Sequence, residues 1–416
     1  MKKLLFLLIC FFSPLISYAL DYPEVNSQMV EVYDLTEGKI LYELDSNNKA
    51  SIASITKIAT TITAIETIDN IDEKVTITSD ILNQVSWEAS TAGLEVGDVL
   101  TYRDLVYATI VKSGADAAIS LAVLSSGDTE SFVEKMNKKA QEIGLEHTHF
   151  ENVIGLDDEE HYSTADDVRK LLEYALKNEL FRSAYTTRDY TLSNGRKISS
   201  TIYTYNRGGR DTSKIIGSKT GFTLEAGYCF TSLSKVEDHE MIIIVLKAEA
   251  YGDDYYNIID TIDLIDFVTE NYKNTTIVNK GDFKKEIPIS LSKTDNYTIK
   301  SDSTITKFLP IDYNKDDIKI KYDGLEELSY KNKEGSKIGE IKYYYQDELL
   351  KTEEVLVNEK ITPDYLKIIK TKWLSILLKT IGIIFLIFIL LIIRKKIRRM
   401  KRRMARKRKK RSWHSS

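Results

Sequence analysis

The chain has 416 residues, 43% of them hydrophobic, which is enough for two domains that each bury a core. Its formal net charge of −4 hides an asymmetry. All 62 acids and 41 of the 58 bases lie between Leu20 and Lys372, a net of −21, whereas residues 394–411 hold 14 Lys or Arg and no acid. An acidic body excludes an enzyme that needs a basic face to grip nucleic acid, and the absence of HExxH or clustered Cys spacing gives no metal or other cofactor to expect.

Lys2 and Lys3 followed by the apolar run Leu4 to Phe12, with Pro14 and the small-residue stretch Ser17-Tyr18-Ala19, read as a secretory signal occupying residues 1–19. Cys10 falls within it, which leaves Cys229 as the one cysteine of the mature body. Val30 to Tyr33 and Ile40 to Tyr42 flank the turn-like Thr36-Glu-Gly-Lys39 and predict a β-hairpin. From Ser51 to Ile65 small and apolar residues recur at helical spacing and predict a buried helix. Residues Thr101 to Leu124 and Thr129 to Ile143 also read as helices, as does Thr164 to Leu176, where Ser163 or Thr164 can cap and Asp166 and Asp167 suit the first turn. Strands are expected at Lys214 to Thr220, Tyr228 to Ser234 and Met241 to Lys247, then a helix at Asp260 to Val268. A strand pair, a helical block, three strands and a final helix predict an α/β domain over residues 20–270, an antiparallel sheet flanked by helices.

After Asn271 short alternating runs such as Ile318 to Tyr322 and Ile338 to Tyr345 predict a small all-β domain over residues 271–365, read as a spacer or docking module. Trp373 to Ile393 is long and apolar enough to cross a ~30 Å hydrocarbon layer. Trp373 suits the interface and Lys379 can extend its ammonium towards it. The basic block, residues 394–416, then belongs in the cytoplasm by the positive-inside rule, where it would meet anionic lipid.

Ser54-Ile-Thr-Lys57 is an SxxK at the start of the first predicted helix, with Ser and Lys one turn apart on one face. A neutral lysine there can take the serine proton if burial and a neighbouring cation lower its pKa. Three more SxxK sets occur, at Ser46/Lys49, Ser232/Lys235 and Ser290/Lys293, so the pattern alone selects nothing. Lys219-Thr220-Gly221 is the one Lys-Thr-Gly in the chain, at the end of a predicted strand. Its cation and hydroxyl suit a carboxylate, and its glycine leaves room for substrate backbone to pair along a strand edge. Ser113-Gly114-Ala115 lies between the two, and SxxK, a middle serine motif and KTG in that order are the signature of penicillin-interacting serine enzymes.

On these motifs, together with Lys112 to Ala118, Asn152 to Asp157, His161 to Ala165 and Ser218 to Tyr228, the chain resembles the D-alanyl-D-alanine carboxypeptidases, the low-molecular-mass penicillin-binding proteins of serine peptidase family S11. The resemblance implies Ser54 as nucleophile, Lys57 as its base, and Ser113 as proton relay to the leaving amine. Lys219, Thr220 and Gly221 would bind the terminal carboxylate of a peptidoglycan stem peptide. Phe222 and Ser54 would lend backbone N–H groups to the oxyanion, and β-lactams would acylate Ser54. The family usually carries Asn where Ala115 stands, and a backbone carbonyl or a water would have to fill that role. Two other readings stay open: a wall-binding or penicillin-binding sensor without turnover, motivated by Ala115, and a β-lactamase using one of the Asp157–Glu160 acids. His161 is read as structural, Asp167 as a helix-start charge and Cys229 as core.

Overall fold

The computed structural model describes residues 22–205, 211–249, 255–302 and 304–412; the expected signal, residues 1–19, lies outside them. The chain divides into two compact units, Met1–Lys273 and Asn274–Ser416.

The first unit opens with the hairpin β1 (Ser27–Asp34) and β2 (Lys39–Leu44), then α1 (Lys57–Thr67), preceded by a 3-10 turn at Ala53–Thr56. There follow β3 (Lys74–Thr76), α2 (Ser79–Leu82), β4 (Val99–Thr101), α3 (Tyr102–Val111), α4 (Ala115–Ser126), α5 (Thr129–Ile143), α6 (Ala165–Leu176) and α7 (Glu179–Thr186). The small hairpin β5 (Asp189–Thr191) and β6 (Lys197–Ser199) and the short α8 (Ile202–Tyr205) lead into β7 (Ile215–Thr223), β8 (Gly227–Val236), β9 (His239–Ala248) and α9 (Tyr256–Asn271). The main sheet has the order β2-β1-β9-β8-β7, and its strand pairs are antiparallel.

Met241 to Leu246 is an unbroken apolar run because β9 is the central strand and both its faces are covered. Ile242, Ile244 and Leu246 join the large core built with α1 and α3 to α6, while Met241, Ile243 and Val245 alternate to the opposite face, where α9 packs against β1, β8 and β9. Helix α1 is buried from Lys57 to Ala64, which explains its small residues on every side. The strand β7 pairs only with β8 among the described strands, so its other edge is open.

The helix expected over Thr101 to Leu124 is two helices. Ser113 takes φ +60° and Gly114 is the N-cap of α4. The break is held by the Asp116 carboxylate, which accepts the N–H groups of Ala92 and Leu94, and by Ala115 N donating to Ser90 O. Apolar periodicity runs through this break because both helices bury nearly every residue there. At the other helix start Thr164 is the cap, accepting from Asp167 N.

In the second unit the strands β10 (Tyr272–Val278), β11 (Lys284–Ser290), β12 (Asn296–Lys300), β13 (Ile305–Pro310), β14 (Ile318–Gly324), β15 (Leu328–Ser329), β16 (Lys337–Tyr345) and β17 (Glu348–Leu356) form small sheets. Their inward residues, among them Ile287, Ile299, Ile341, Tyr343 and Val357, make a separate core. Helix α10 (Tyr365–Ser412) follows, and its apolar stretch is exposed throughout. It is one helix among the described residues long and apolar enough to cross a membrane.

The start of β1 is fixed by one buried carboxylate. Asp260 of α9 accepts from Asn26 N, Asn26 Nδ2, Ser27 N and Ser27 Oγ, the last at 2.6 Å. Asp260→Ala leaves these donors unpaired, and urea denaturation of the detergent-solubilised protein is expected to give an unfolding free energy lower by about 2–4 kcal/mol.

Candidate active site

Ser54 lies in the 3-10 turn just before α1, half-buried, with Lys57 at the first position of the helix. Lys57 Nζ and Ser54 Oγ are 2.7 Å apart, and Nζ also donates to the Ile154 carbonyl at 2.9 Å. The ammonium is buried, and burial pulls its pKa down to about 7, against the opposing pull of the Asp116 carboxylate. Lys219 of β7 is also buried; it donates to Ser113 Oγ and to its neighbour's carbonyl, Thr220 O, each at 2.7 Å. Its pKa is depressed first by burial and then by the charge of Lys57. The two lysines therefore oppose each other's protonation.

Two glycines let backbone segments meet at Ser54. Gly155 has φ +83°, and a Cβ there would sit 1.9 Å from Ala53 O. A Cβ on Gly221 would sit 3.0 Å from Ile52 O and 3.1 Å from Ser54 N. The space that Gly221 leaves is thus taken by the Ile52–Ser54 segment, not by the open strand edge, because β7 runs beside the Ser54 amide. Phe222 follows at the edge, 40% exposed.

Thr220 Oγ1 is 2.7 Å from Thr201 Oγ1, and Thr201 N donates to Val111 O. The expected residues Ser54, Lys57, Ser113, Lys219, Thr220 and Gly221 therefore converge from the turn before α1, the start of α1, the α3–α4 break and β7, with Phe222 next along β7. The sequence reading missed Thr201, which stands in no motif, and Ile154, whose contribution is a main-chain carbonyl. Neither carries a residue-type signal.

His161 is buried, with Nε2 2.8 Å from Thr56 Oγ1, and its Nδ1 accepts from Glu151 N at 3.1 Å. Accepting at Nδ1 requires the neutral ring, and burial lowers its pKa to about 4. Asp167 accepts from His147 N and Thr148 Oγ1. Asp157 accepts from Ser51 Oγ and Thr223 Oγ1. Burial pushes the Cys229 thiol up to about 12.

A sequence model of a family described as D-alanyl-D-alanine carboxypeptidase matches residues 17–250. The D-alanyl-D-alanine carboxypeptidase DacF of Bacillus subtilis is 28% identical over 350 residues, covering 83% of this chain and 86% of that protein. A D-alanyl-D-alanine carboxypeptidase of Streptomyces sp. strain K15 is 37% identical over 205 residues, 46% of this chain and 70% of that one. The solved penicillin binding protein 5 from Haemophilus influenzae shares the fold, with a TM-score of 0.59 and 22% identity over 83% of this chain and 100% of that one.

The lysine coupling is measurable. With 13C-labelled lysine side chains, the Lys57 amine should titrate near 7. Lys57→Gln removes the positive charge that lowers Lys219, so the Lys219 midpoint should move up; a midpoint that stays or falls contradicts the coupling.

Proposed function

The chain belongs to the D-alanyl-D-alanine carboxypeptidase family, and from that premise we propose that it removes the terminal D-alanine from peptidoglycan stem pentapeptides through an acyl-enzyme on Ser54. The observation that carries this reading is the 2.7 Å contact between Ser54 Oγ and a buried Lys57 amine whose pKa lies near 7. A lysine at its ordinary pKa is almost wholly protonated at neutral pH and has no lone pair to offer; one near 7 is about half available.

The substrate lies along the open edge of β7. Its terminal carboxylate pairs with Lys219 and the hydroxyls of Thr220 and Thr201. That anion holds the proton on Lys219, and the resulting positive charge favours the neutral form of Lys57. Ser54 Oγ gives its proton to Lys57 Nζ and bonds to the carbonyl carbon between the two D-alanines. The carbonyl oxygen takes the negative charge and is met by the N–H groups of Ser54 and Phe222. On collapse the C–N bond breaks, and the leaving amine gains a proton passed from Lys57 by way of Ser113. Water, losing its proton to Lys57, attacks the ester; the C–O bond to Ser54 breaks, Lys57 returns the proton to Ser54 Oγ, and the shortened peptide leaves. A β-lactam follows the first steps and stays bound as an ester.

The Ile154 carbonyl supports turnover despite Ala115, since it supplies the acceptor that steadies Lys57. Of the acids considered for a β-lactamase, Asp157 is engaged by Ser51 and Thr223, and Asp158 by Glu160 N.

The basic segment 394–416, which stays inside against anionic lipid, favours an extracytoplasmic place for the body, reached with a signal cut after Ala19 and kept by one span at residues 373–393. A tag after Ser416 should stay protected from protease added to intact cells, whereas the body is cut; a cut tag reverses the topology.

D-alanine release from a pentapeptide should occur with wild type and be lost with Ser54→Ala, as should the penicillin adduct seen by mass spectrometry. Acylation should fall about tenfold per pH unit below about 7, because Lys57 is then protonated. Adduct without release would leave a penicillin-binding sensor. Neither adduct nor release from folded protein would sink the Ser54 assignment.

A further inference from the structure

We propose that Asn152 is a positioning residue for the general base: its side-chain amide folds residues 152–156 into the shape that aims the Ile154 carbonyl at Lys57 Nζ. The inference rests on the reading of Lys57 as general base.

One side-chain oxygen organises the segment. Asn152 Oδ1 accepts from Ile154 N at 3.2 Å, Gly155 N at 2.7 Å and Leu156 N at 3.0 Å, and Asn152 Nδ2 donates to Leu156 O at 3.0 Å. Three successive N–H groups turned to one acceptor leave the carbonyls between them directed outwards, and Ile154 O is the one that meets Lys57 at 2.9 Å. The adjoining residues are tied to other elements: Phe150 N and O to the Asn137 side chain of α5, Glu151 N to His161, and Val153 O to Thr60 Oγ1 of α1 at 2.6 Å. Between Val153 and Leu156 the described side-chain bonds to the loop's backbone are those of Asn152 and Thr60, with Lys57 itself as the third.

The segment borders an open pocket of about 150 Å³ lined by Ile119, Val133, Val153, Ile154, Leu156 and Asn152 itself. The side chains of Val153 and Ile154 join the core, but side-chain packing does not set where a carbonyl points, so removing Asn152 lets the backbone relax towards that pocket. Gly155 adds a constraint from the front, where its φ of +83° brings it against Ala53 O. A shift of the loop is therefore felt at both Ser54 and Lys57.

Position and protonation are linked. A carbonyl acceptor stabilises an ammonium more than an amine. If Ile154 O drifts from Nζ, Lys57 loses a partner that favours its charged form. Asp116 of α4 is the charged group that acts on Lys57, raising it, and Lys57 in turn lowers Lys219 of β7. On the loop and its flank, Glu151 faces His149, Asp157 is bound by Ser51 and Thr223, and His161 is neutral.

The test uses the full-length protein in detergent and follows acylation by a fluorescent penicillin from about pH 5 to about pH 9. Asn152→Ala should lower the plateau rate about 10- to 100-fold and move the acid limb to lower pH by about half a unit. Asn152→Asp keeps the three acceptor bonds but adds a negative charge, so its acid limb should move up by about a unit while thermal unfolding stays near wild type. Should the alanine variant fail to fold, Asn152→Ser, which shortens the acceptor without adding a charge, is read in its place by the same plateau and limb. A merely structural role lowers the unfolding temperature and leaves the limb where it was. Limbs at the wild-type pH in the folded variants, with wild type acylating normally, overturn this inference alone. A wild type that forms no Ser54 adduct removes the base assignment and this inference with it.

Discussion

The site depends on keeping two lysine side chains inside the protein within electrostatic reach of each other. Lys57 and Lys219 are each about 1% exposed. For Lys57 alone, the drop from 10.5 to about 7 corresponds to roughly 4–5 kcal/mol of folding free energy at neutral pH. The sign follows from proton counting. Between the folded and unfolded pKa values the unfolded chain holds more protons, so stability rises with pH across that window and is flat below it. Function thus sets a standing cost on the first unit. The large core around α1 and the two covered faces of β9 offset it, which fits a site seated on the most buried helix and against the main sheet and not on a surface loop.

How the chain holds those lysines is mostly a matter of backbone. The Ser54 turn, the 152–156 loop and β7 approach so closely that side chains are excluded at Gly155 and Gly221. Ser113 occupies a left-handed conformation between two helices. A side chain in that conformation is uncommon and costs about 1 kcal/mol or more. Here the break turns the Ser113 hydroxyl to Lys219, which a continuous helix from Thr101 to Leu124 could not do while also burying both of its flanks.

Much of the fold was legible because its signals are local. The turn-linked hairpin of β1 and β2, the unbroken apolar run of β9 and the capped start of α6 are properties of a few adjacent residues, and each appears as expected. The three motifs in their order, and the family resemblance they carry, pointed to Ser54, Lys57, Ser113 and Lys219. Thr201 and Ile154 were not legible. One acts through a hydroxyl in an unremarkable Ser-Ser-Thr stretch, the other through a carbonyl that every residue has. The break at Ser113 was hidden for a related reason. Its cause is Asp116 reaching back to the amides of Ala92 and Leu94, a contact across 22 to 24 residues that helical periodicity does not register.

The same distinction bears on Ala115. An asparagine side chain offers both a donor and an acceptor, and it can rotate. The Ile154 carbonyl offers an acceptor only, fixed in direction by its loop. A neutral lysine amine has two N–H donors and one lone pair. If Ile154 O takes one N–H, the lone pair is free to turn to Ser54 Oγ, and nothing on the Ile154 side can compete for it by donating. A pure acceptor thus selects the orientation in which Lys57 receives the serine proton. In the proposed reaction the loss of an amide at position 115 removes a partner for Lys57 while leaving its base geometry specified, and the specification has moved from a side chain on α4 to the folded shape of the 152–156 segment.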